Sequence, residues 1–125
     1  MRLLLDTQLV YWTYYETNKL PRRARELMTV AEEIFVSSVS IWEIAIKARL
    51  GKMRADPQLL VEKMLASGFH ELAVLYRHAT EVANLPLHHA DPFDRLLVAQ
   101  AIQEQLWLLT TDAQLPQYSD LVIRV

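Results

Sequence analysis

Four acidic residues of this chain stand beside apolar segments, where carboxylates are uncommon. Asp6 follows the run RLLL, Glu43 lies within SIWEIAIKARLG, Asp94 lies within HADPFDRLLVAQA, and Asp112 follows LWLLTT. Carboxylates that meet in a partly desolvated cleft repel one another, which raises their pKa values and costs stability unless a cation neutralises them. If these acids converge, they predict a site for a divalent cation.

Asp94 is the most informative of the four acids. In a helix over residues 92–105 it shares one stripe with the apolar residues three, four and seven positions further on. Capping explains Asp91, which suits the N-cap position before Pro92. Asp94 would then be the third helical residue, where an acid can bond back to the cap, but that role does not require the buried side of the helix. We therefore expect a positive group to meet Asp94.

Glu43 raises the same question in a weaker form. At helical spacing it falls at the edge of a wide apolar arc, with Lys47 one turn further on. A solvated Glu–Lys pair of this spacing, which contributes about 0.2–0.5 kcal/mol, explains Glu43 equally well when it is considered alone. The other three acids favour its assignment to a common site.

The residue types restrict the chemistry of such a site. The chain has no cysteine, which excludes thiolate ligands, cysteine nucleophiles and disulfides. Oxygen ligands suit Mg²⁺ or Mn²⁺, which usually contacts one or two carboxylates and reaches others through water. An ion held in this way can activate water for attack on phosphorus and shield the charge that develops on phosphate oxygens. Phosphodiester hydrolysis is therefore the leading reaction class.

The elements that must position these acids alternate along the chain. Apolar runs predict strands at 2–5, 34–37, 69–74, 106–111 and 121–125, the last one at an edge. Helical spacing and capping residues predict helices at 7–17, 21–33, 40–50, 57–67, 77–85 and 92–105, with Ser40 and Asp56 as caps. This alternation predicts an α/β fold with three α/β/α layers and a mainly parallel sheet. Ligands of such sheets bind beyond the carboxyl ends of the strands.

Composition limits the class of protein. With 125 residues and 52% hydrophobic residues, the chain predicts a single domain, 1–125, with a sizeable core. A net charge of −2 gives no global positive field that would attract polyanions. The sequence has no signal-peptide pattern and no apolar run long enough to cross a membrane. We therefore expect a cytoplasmic protein.

Four blocks resemble one known family, in its order. LLLDTQLVYW, VSSVSIWEIAIKARLGKM, LPLHHADPFDRLLVAQA and LLTTDAQL resemble the PIN-domain ribonucleases, in particular the VapC-type toxins of toxin–antitoxin pairs. Position by position, the acidic set of the family falls on Asp6, Glu43, Asp94 and Asp112, and its hydroxyl falls on Thr110. The resemblance implies endoribonuclease activity with Mg²⁺ or Mn²⁺, homodimerisation, and inhibition by a co-expressed antitoxin.

The roles expected of the acids differ. Asp6 and Asp94 are predicted to contact the metal directly, since a strand end and a buried helix face both hold a side chain rigidly. Glu43 and Asp112 are predicted to orient waters on the metal, one of which attacks the phosphate. Asp91 is a second-tier candidate, as a cap or as an acid that acts through water.

Two positions at and after the strand predicted at 106–111 qualify this picture. Thr110 is a candidate to fix a carboxylate by hydrogen bonding, although threonine is also simply common in strands. Many members of the family carry a further acid two residues after the fourth one, and here that residue is Gln114. We therefore expect one well-held ion and at most a weak second one.

Basic residues and histidines are less specific signals. Lys47, Lys52 and Arg54 follow Glu43 and are candidates to hold an RNA backbone, although such residues usually form a solvated helix edge. His88 and His89 precede the cap Asp91, but adjacent loop histidines point in different directions. Packing within the loop or at the surface is the expected role of both.

Three other functions compete with the nuclease. A receiver-like phosphoacceptor needs a paired acid after the first strand and a lysine after a late strand, and the sequence shows neither. A haloacid-dehalogenase-type phosphatase needs an aspartate at the position of Gln8. A PIN-like fold that only binds a partner protein, with acids kept for capping, is the third alternative. Metal-dependent RNA cleavage distinguishes it from the nuclease.

Overall fold

Five short apolar runs form the strands of one parallel sheet. The computed structural model describes the whole chain, Met1–Val125. Its strands are β1 (Arg2–Leu5), β2 (Glu33–Ser37), β3 (His70–Leu72), β4 (Trp107–Thr110) and β5 (Val122–Arg124). They lie in the order β3-β2-β1-β4-β5, and every neighbouring pair is parallel. The predicted parallel sheet, with the last strand at an edge, is confirmed.

Six α-helices connect these strands. They are α1 (Thr7–Tyr15), α2 (Arg22–Val30), α3 (Ser38–Arg49), α4 (Pro57–Ala66), α5 (Tyr76–Glu81) and α6 (Pro92–Glu104). Four of them begin at a side chain that accepts a hydrogen bond from the first turn: Asp6, Ser37, Asp56 and Asp91. None of the helices combines the length and the apolar composition that crossing a membrane requires.

The start of α3 differs from the sequence prediction. The predicted cap was Ser40, but β2 runs directly into the helix, and the cap is Ser37, whose hydroxyl accepts from the amide of Val39 at 3.1 Å. Ser40 is buried in the first turn instead, where its hydroxyl accepts a 3.0 Å hydrogen bond from Thr7. The earlier start adds a turn that holds α3 against α1.

The end of α2 also differs from the prediction. The periodic pattern extended to residue 33, whereas the helix ends at Val30 and Ala31 has an extended backbone. The reason is a tertiary one. Glu33 already pairs with Arg2 at the start of the sheet, and their side chains form an ion pair of 3.2 Å.

Side chains from both faces of the sheet are buried. Along β1 and β4, Leu3, Leu5 and Leu109 pack into one apolar cluster, and Leu4 and Leu108 pack into a second. All five leucines are fully buried. Continuous apolar runs, rather than alternating ones, are typical of a parallel sheet covered by helices on both faces. The α/β/α arrangement is therefore confirmed.

The direction of the strand order reverses at β1. The chain moves from β1 outward to β2 and β3, and then returns to the other side of β1 with β4 and β5. Connections that leave in opposite directions open a crevice beyond the carboxyl ends of the two central strands. Asp6 lies at this point, and its amide donates to Leu109 of β4 at 3.0 Å.

Truncation of a central strand residue tests the double-sided core. We expect Leu109→Ala to lower the free energy of unfolding by about 2–5 kcal/mol, because Leu109 is fully buried and its loss leaves a cavity. Urea denaturation measures the change. Leu65→Ala is the control, since Leu65 of α4 is 56% exposed and should cost less than about 0.5 kcal/mol. Similar losses for both variants would contradict the assigned core.

Candidate functional site

A polar cleft of about 300 Å³ lies beyond the carboxyl ends of the central strands. No hydrophobic residue lines it, and its walls come from the starts of α1 and α6, from α3 and from the chain after β4. The nine lining residues are Asp6, Thr7, Gln8, Glu43, Lys47, Asp91, Asp94, Thr111 and Asp112. The structure thus brings together the four acids singled out in the sequence.

Asp6 lies at the base of this cleft and is only 6% exposed. Its Oδ1 accepts from the amide of Leu9 at 2.9 Å and caps α1, and its Oδ2 accepts from Thr110 Oγ1 at 2.6 Å. Burial raises the pKa of Asp6 from 3.8 to about 6, although these hydrogen bonds favour the charged form. The capping role of Asp6 was not foreseen, because the short gap between β1 and α1 hid the cap.

Thr110 connects two of the acids. Its hydroxyl donates to Asp6 and also accepts from the amide of Asp112 at 3.0 Å. The hydrogen bond to a carboxylate considered from the sequence is therefore present. Asp112 Oδ1 accepts from the amide of Gln114 at 2.8 Å, while the Gln114 residue itself is exposed.

Glu43 presents a buried oxygen that has no partner. The residue is 6% exposed; its Oε2 lies 2.8 Å from Lys47 Nζ, and its Oε1 has no hydrogen bond. The expected i, i+4 pair exists, but in the wall of the cleft rather than at a solvated edge. Buried carboxylate oxygens nearly always have a partner, so Glu43 Oε1 is an acceptor that remains available to a ligand or a water.

Asp94 lies in the first turn of α6 and faces the cleft. Its amide donates to Oδ1 of the cap Asp91 at 3.0 Å. Burial is the main cause that raises the pKa of Asp94 from 3.8 to about 7, and the negative charges of Asp91, Asp6 and Glu43 raise it further. This carboxyl group is the one most affected by the convergence of the acids.

His89 differs from the sequence prediction. Its Nε2 lies 3.0 Å from Asp94 Oδ2 and 3.0 Å from Asp112 Oδ2, so the side chain faces the acids instead of packing within the loop. His88 behaves as expected, with its ring edge-on to Tyr118 at a centroid distance of 5.1 Å. The only sequence feature that could have indicated this contact is the position of His89 five residues before Asp94. The loop conformation that brings the two side chains together depends on contacts with residues distant in the sequence.

The predicted basic residues lie in two places. Lys47 lines the cleft beside Glu43. Lys52 and Arg54 are exposed in the loop after α3 and do not line the cleft. This loop is fixed by backbone contact, because the amide of Arg54 donates to the hydroxyl of Tyr11 in α1 at 3.2 Å.

The side chains of the cleft fit a divalent cation. Apart from Lys47 and the nearby His89, the titratable groups are carboxylates, and one buried carboxylate oxygen has no partner. Ligand atoms of His89, Asp94 and Asp112 all lie within 4.8 Å of one another. A hard cation would stabilise the charged forms of Asp6 and Asp94, whose pKa values are raised mainly by burial and further by the neighbouring acids.

Comparison with known proteins identifies the family. The PIN-domain family model matches residues 3–121, and the chain therefore belongs to the PIN-domain family, as its sequence blocks predicted. Over 115 residues it is 30% identical to ribonuclease VapC22 of Mycobacterium tuberculosis (strain H37Rv). The aligned region covers 90% of this chain and 88% of the relative.

Solved structures have the same fold. The chain is similar to VapBC2 from Rickettsia felis bound to a promoter DNA fragment, with a TM-score of 0.75, 16% identity and coverage of 99% and 98% of the two chains. FitAcB from Neisseria gonorrhoeae gives a TM-score of 0.70 at 17% identity, covering 98% and 96%. DNA-bound VapBC from Salmonella typhimurium gives a TM-score of 0.68 at 16% identity, with coverage of 99% of this chain and 98% of the other. At these identities the likeness concerns the fold alone.

The raised pKa of Asp94 predicts how stability depends on pH without metal. Because the folded pKa of about 7 lies above the ordinary 3.8, the folded state binds this proton more tightly than the unfolded state. Its contribution to stability is complete below about pH 4 and is lost as the pH rises through 7. Asp94→Asn lacks this dependence. We expect its Tm to match the parent near pH 4 and to exceed it by at least about 3 °C at pH 8.

Thermal unfolding of both proteins in EDTA, followed by circular dichroism between pH 4 and 8, measures this difference. Excess Mn²⁺ at pH 8 should raise the Tm of the parent more than that of Asp94→Asn. A Tm difference that stays constant across the pH range would contradict the assigned electrostatics.

Proposed function

We propose that the protein is a metal-dependent endoribonuclease that acts as the toxin of a toxin–antitoxin pair, with residues 1–125 as a single nuclease domain. The observation that carries the proposal is the convergence of Asp6, Glu43, Asp94 and Asp112 in one cleft. Membership of the PIN-domain family and the identity to ribonuclease VapC22 support it. The reaction is hydrolysis of an RNA phosphodiester bond.

The proposed cofactor is Mg²⁺ or Mn²⁺, held by the four carboxylates. Asp6 and Asp94 would contact it directly, and Glu43 and Asp112 would contribute through water, while Asp91 would be an outer acid that also caps α6. When bound, the ion makes a water more acidic and shields the charge that develops on the phosphate. The rigid positions of Asp6, in its cap, and Asp94, in its helix, support this assignment.

The other side chains of the cleft orient the reactants. Thr110 holds the Asp6 carboxylate in one orientation through its 2.6 Å hydrogen bond. Lys47 engages only one oxygen of Glu43. The carboxylate of Glu43 can orient a water beside the ion, and the ammonium of Lys47 can attract the scissile phosphate.

RNA cleavage with matched variants tests the function. A pool of small RNAs incubated with the purified protein should give discrete cuts in Mg²⁺ or Mn²⁺ and none in EDTA. Asp94→Asn keeps the shape of the side chain but removes its charge, and should lower the cleavage rate at least about 100-fold. Asp120→Asn is the control, because Asp120 is exposed just before β5, near the amino ends of the strands and away from the cleft. This variant should cleave like the parent.

Two results would contradict this proposal. Cleavage by Asp94→Asn at the parent rate would show that the site is assigned wrongly. A folded parent that cleaves nothing with either metal would favour the alternative, a PIN-like module that only binds a partner protein.

The proposed partners are a cognate antitoxin and a second copy of the chain, in the cytoplasm. Several large apolar side chains are exposed and available for such contacts. Trp42 and Ile46 lie four residues apart on one stripe of α3, and Leu50 follows at the same spacing as the C-cap of this helix. These residues are 61%, 36% and 62% exposed, while Tyr76 is 93% exposed. Exposed apolar groups of this size support a protein partner. The structural relatives from Rickettsia felis and Salmonella typhimurium are VapBC assemblies.

Lys52 and Arg54 are proposed to hold the RNA backbone beside the cleft. Their joint replacement by glutamate should weaken binding of a non-cleaved RNA and lower the slope of log K against log salt by about one for each lost contact. The control is Lys63→Glu, compared with Lys52→Glu so that the net charge changes equally. Lys63 lies near the end of α4, which leads into the start of β3, so it is far from the carboxyl ends of the strands. Equal effects of Lys52→Glu and Lys63→Glu would exclude a specific role for the loop.

A further inference from the structure

The imidazole of His89 makes two contacts of equal length with the acids of the cleft. Its Nε2 is 3.0 Å from Asp94 Oδ2 and 3.0 Å from Asp112 Oδ2. Adjacent ligands of an octahedral cation with bonds of about 2.1 Å are separated by about 3.0 Å. Both contacts of Nε2 therefore have the spacing of neighbouring ligands of one ion, and ligand atoms of all three residues lie within 4.8 Å of one another.

Hydrogen bonding accounts for only one of these two contacts. Nε2 of an imidazole carries at most one hydrogen, and the contact with Asp94 alone has the geometry of a hydrogen bond. Asp112 Oδ2 accepts no hydrogen bond from the protein and its side chain is 32% exposed, so it is open to a ligand, while Oδ1 of the same carboxylate accepts from the amide of Gln114. A cation bound between the three atoms would use all of them.

The loop that carries His89 is held independently of the acids. The guanidinium of Arg95 donates to the carbonyl oxygens of Pro86 at 2.8 Å and Leu85 at 3.3 Å, and to the hydroxyl of Tyr118 at 3.1 Å. The same hydroxyl accepts from the amide of His89 at 2.8 Å. Arg95 and Tyr118 are thus positioning residues that present the imidazole to the cleft, as supporting contacts do in preorganised metal sites.

We propose that His89 is a nitrogen ligand of the metal site, together with Asp94 and Asp112, and that it makes the site favour a transition-metal dication over Mg²⁺. The inference rests on the proposed metal-dependent function and refines it, since Asp112 then contacts the ion directly instead of through water. Imidazole is a softer donor than carboxylate and binds Co²⁺ and similar ions well, whereas Mg²⁺ favours oxygen and retains its waters.

Metal titration of the full-length chain tests the proposal. The affinities of the metal-free parent and of His89→Gln for Mg²⁺ and for Co²⁺ are measured by isothermal titration calorimetry. Glutamine keeps a polar side chain with an oxygen donor but removes the imidazole. We expect His89→Gln to lower the ratio of Co²⁺ to Mg²⁺ affinity at least about tenfold, and the affinity for Mg²⁺ to change less than about threefold. The visible absorption of bound Co²⁺ should change as well.

His70→Gln is the matched control. His70 is a half-exposed histidine in β3, and its imidazole pairs with Glu33 at 3.5 Å rather than with the cleft. This variant should retain the affinity ratio and the Co²⁺ spectrum of the parent. An equal affinity ratio and an equal spectrum in the parent and in His89→Gln would overturn the proposal.

A second measurement needs no substitution. In the NMR spectrum of the parent, bound Co²⁺ should displace the imidazole signals of His89 by a contact shift, and those of His70 should stay in the normal range. The absence of any shifted imidazole signal with Co²⁺ bound would contradict the assignment.

The inference and the proposed function fail in different ways. If RNA cleavage needs metal and Asp94 while His89→Gln keeps the metal preference of the parent, the inference is wrong and the nuclease assignment stands. If the parent cleaves no RNA but His89 still sets the metal preference, the metal site is correct and the nuclease function is wrong. A parent that binds neither ion overturns both.

Discussion

The hydrogen bond from Thr110 to Asp6 is the contact on which the rest of the structure depends. It joins the ends of the two central strands at 2.6 Å, beside the backbone bond from Asp6 to Leu109. The other carboxylate oxygen of Asp6 caps α1, and the Thr110 hydroxyl also accepts the amide of Asp112. One buried carboxylate therefore couples the strand pairing, the start of a helix and the direction of the chain after β4. A substitution of Asp6 would therefore alter the fold and the cleft together.

This arrangement costs stability. Burial raises the pKa of Asp6 to about 6 and that of Asp94 to about 7, so keeping both groups charged at neutral pH opposes folding. The two apolar clusters on either face of the sheet supply the stability that offsets this cost. A cation that binds only the folded state adds to it by mass action. The acids are thus positioned for binding at the expense of the free energy of unfolding, as is common at functional sites.

Local patterns were sufficient for most of the fold. Apolar runs gave the strands, capping residues such as Asp56 and Asp91 gave helix starts, and the order of elements implied that the acids converge at the carboxyl edge. The predictions of the cap of α3 and of the position of His89 were wrong, because both features depend on more than a local pattern. Ser37 is both the last residue of β2 and a cap, which no single periodicity encodes. The backbone of His89 is held by Tyr118, which Arg95 also contacts, and the meeting of these residues is a property of the assembled chain.

The donors of the cleft differ in how firmly they are held. Asp6 and Glu43 are almost fully buried and form its base, whereas His89, Asp94 and Asp112 are partly exposed and form its rim. Groups at the base keep their positions through backbone caps and packing, so they can orient a reacting group with little reorganisation. The rim can exchange water and ions with solvent and is where an RNA phosphate must enter. Because His89 belongs to the rim, the role proposed for it concerns the choice and retention of an ion, while the buried acids at the base are the groups suited to orient the reactants.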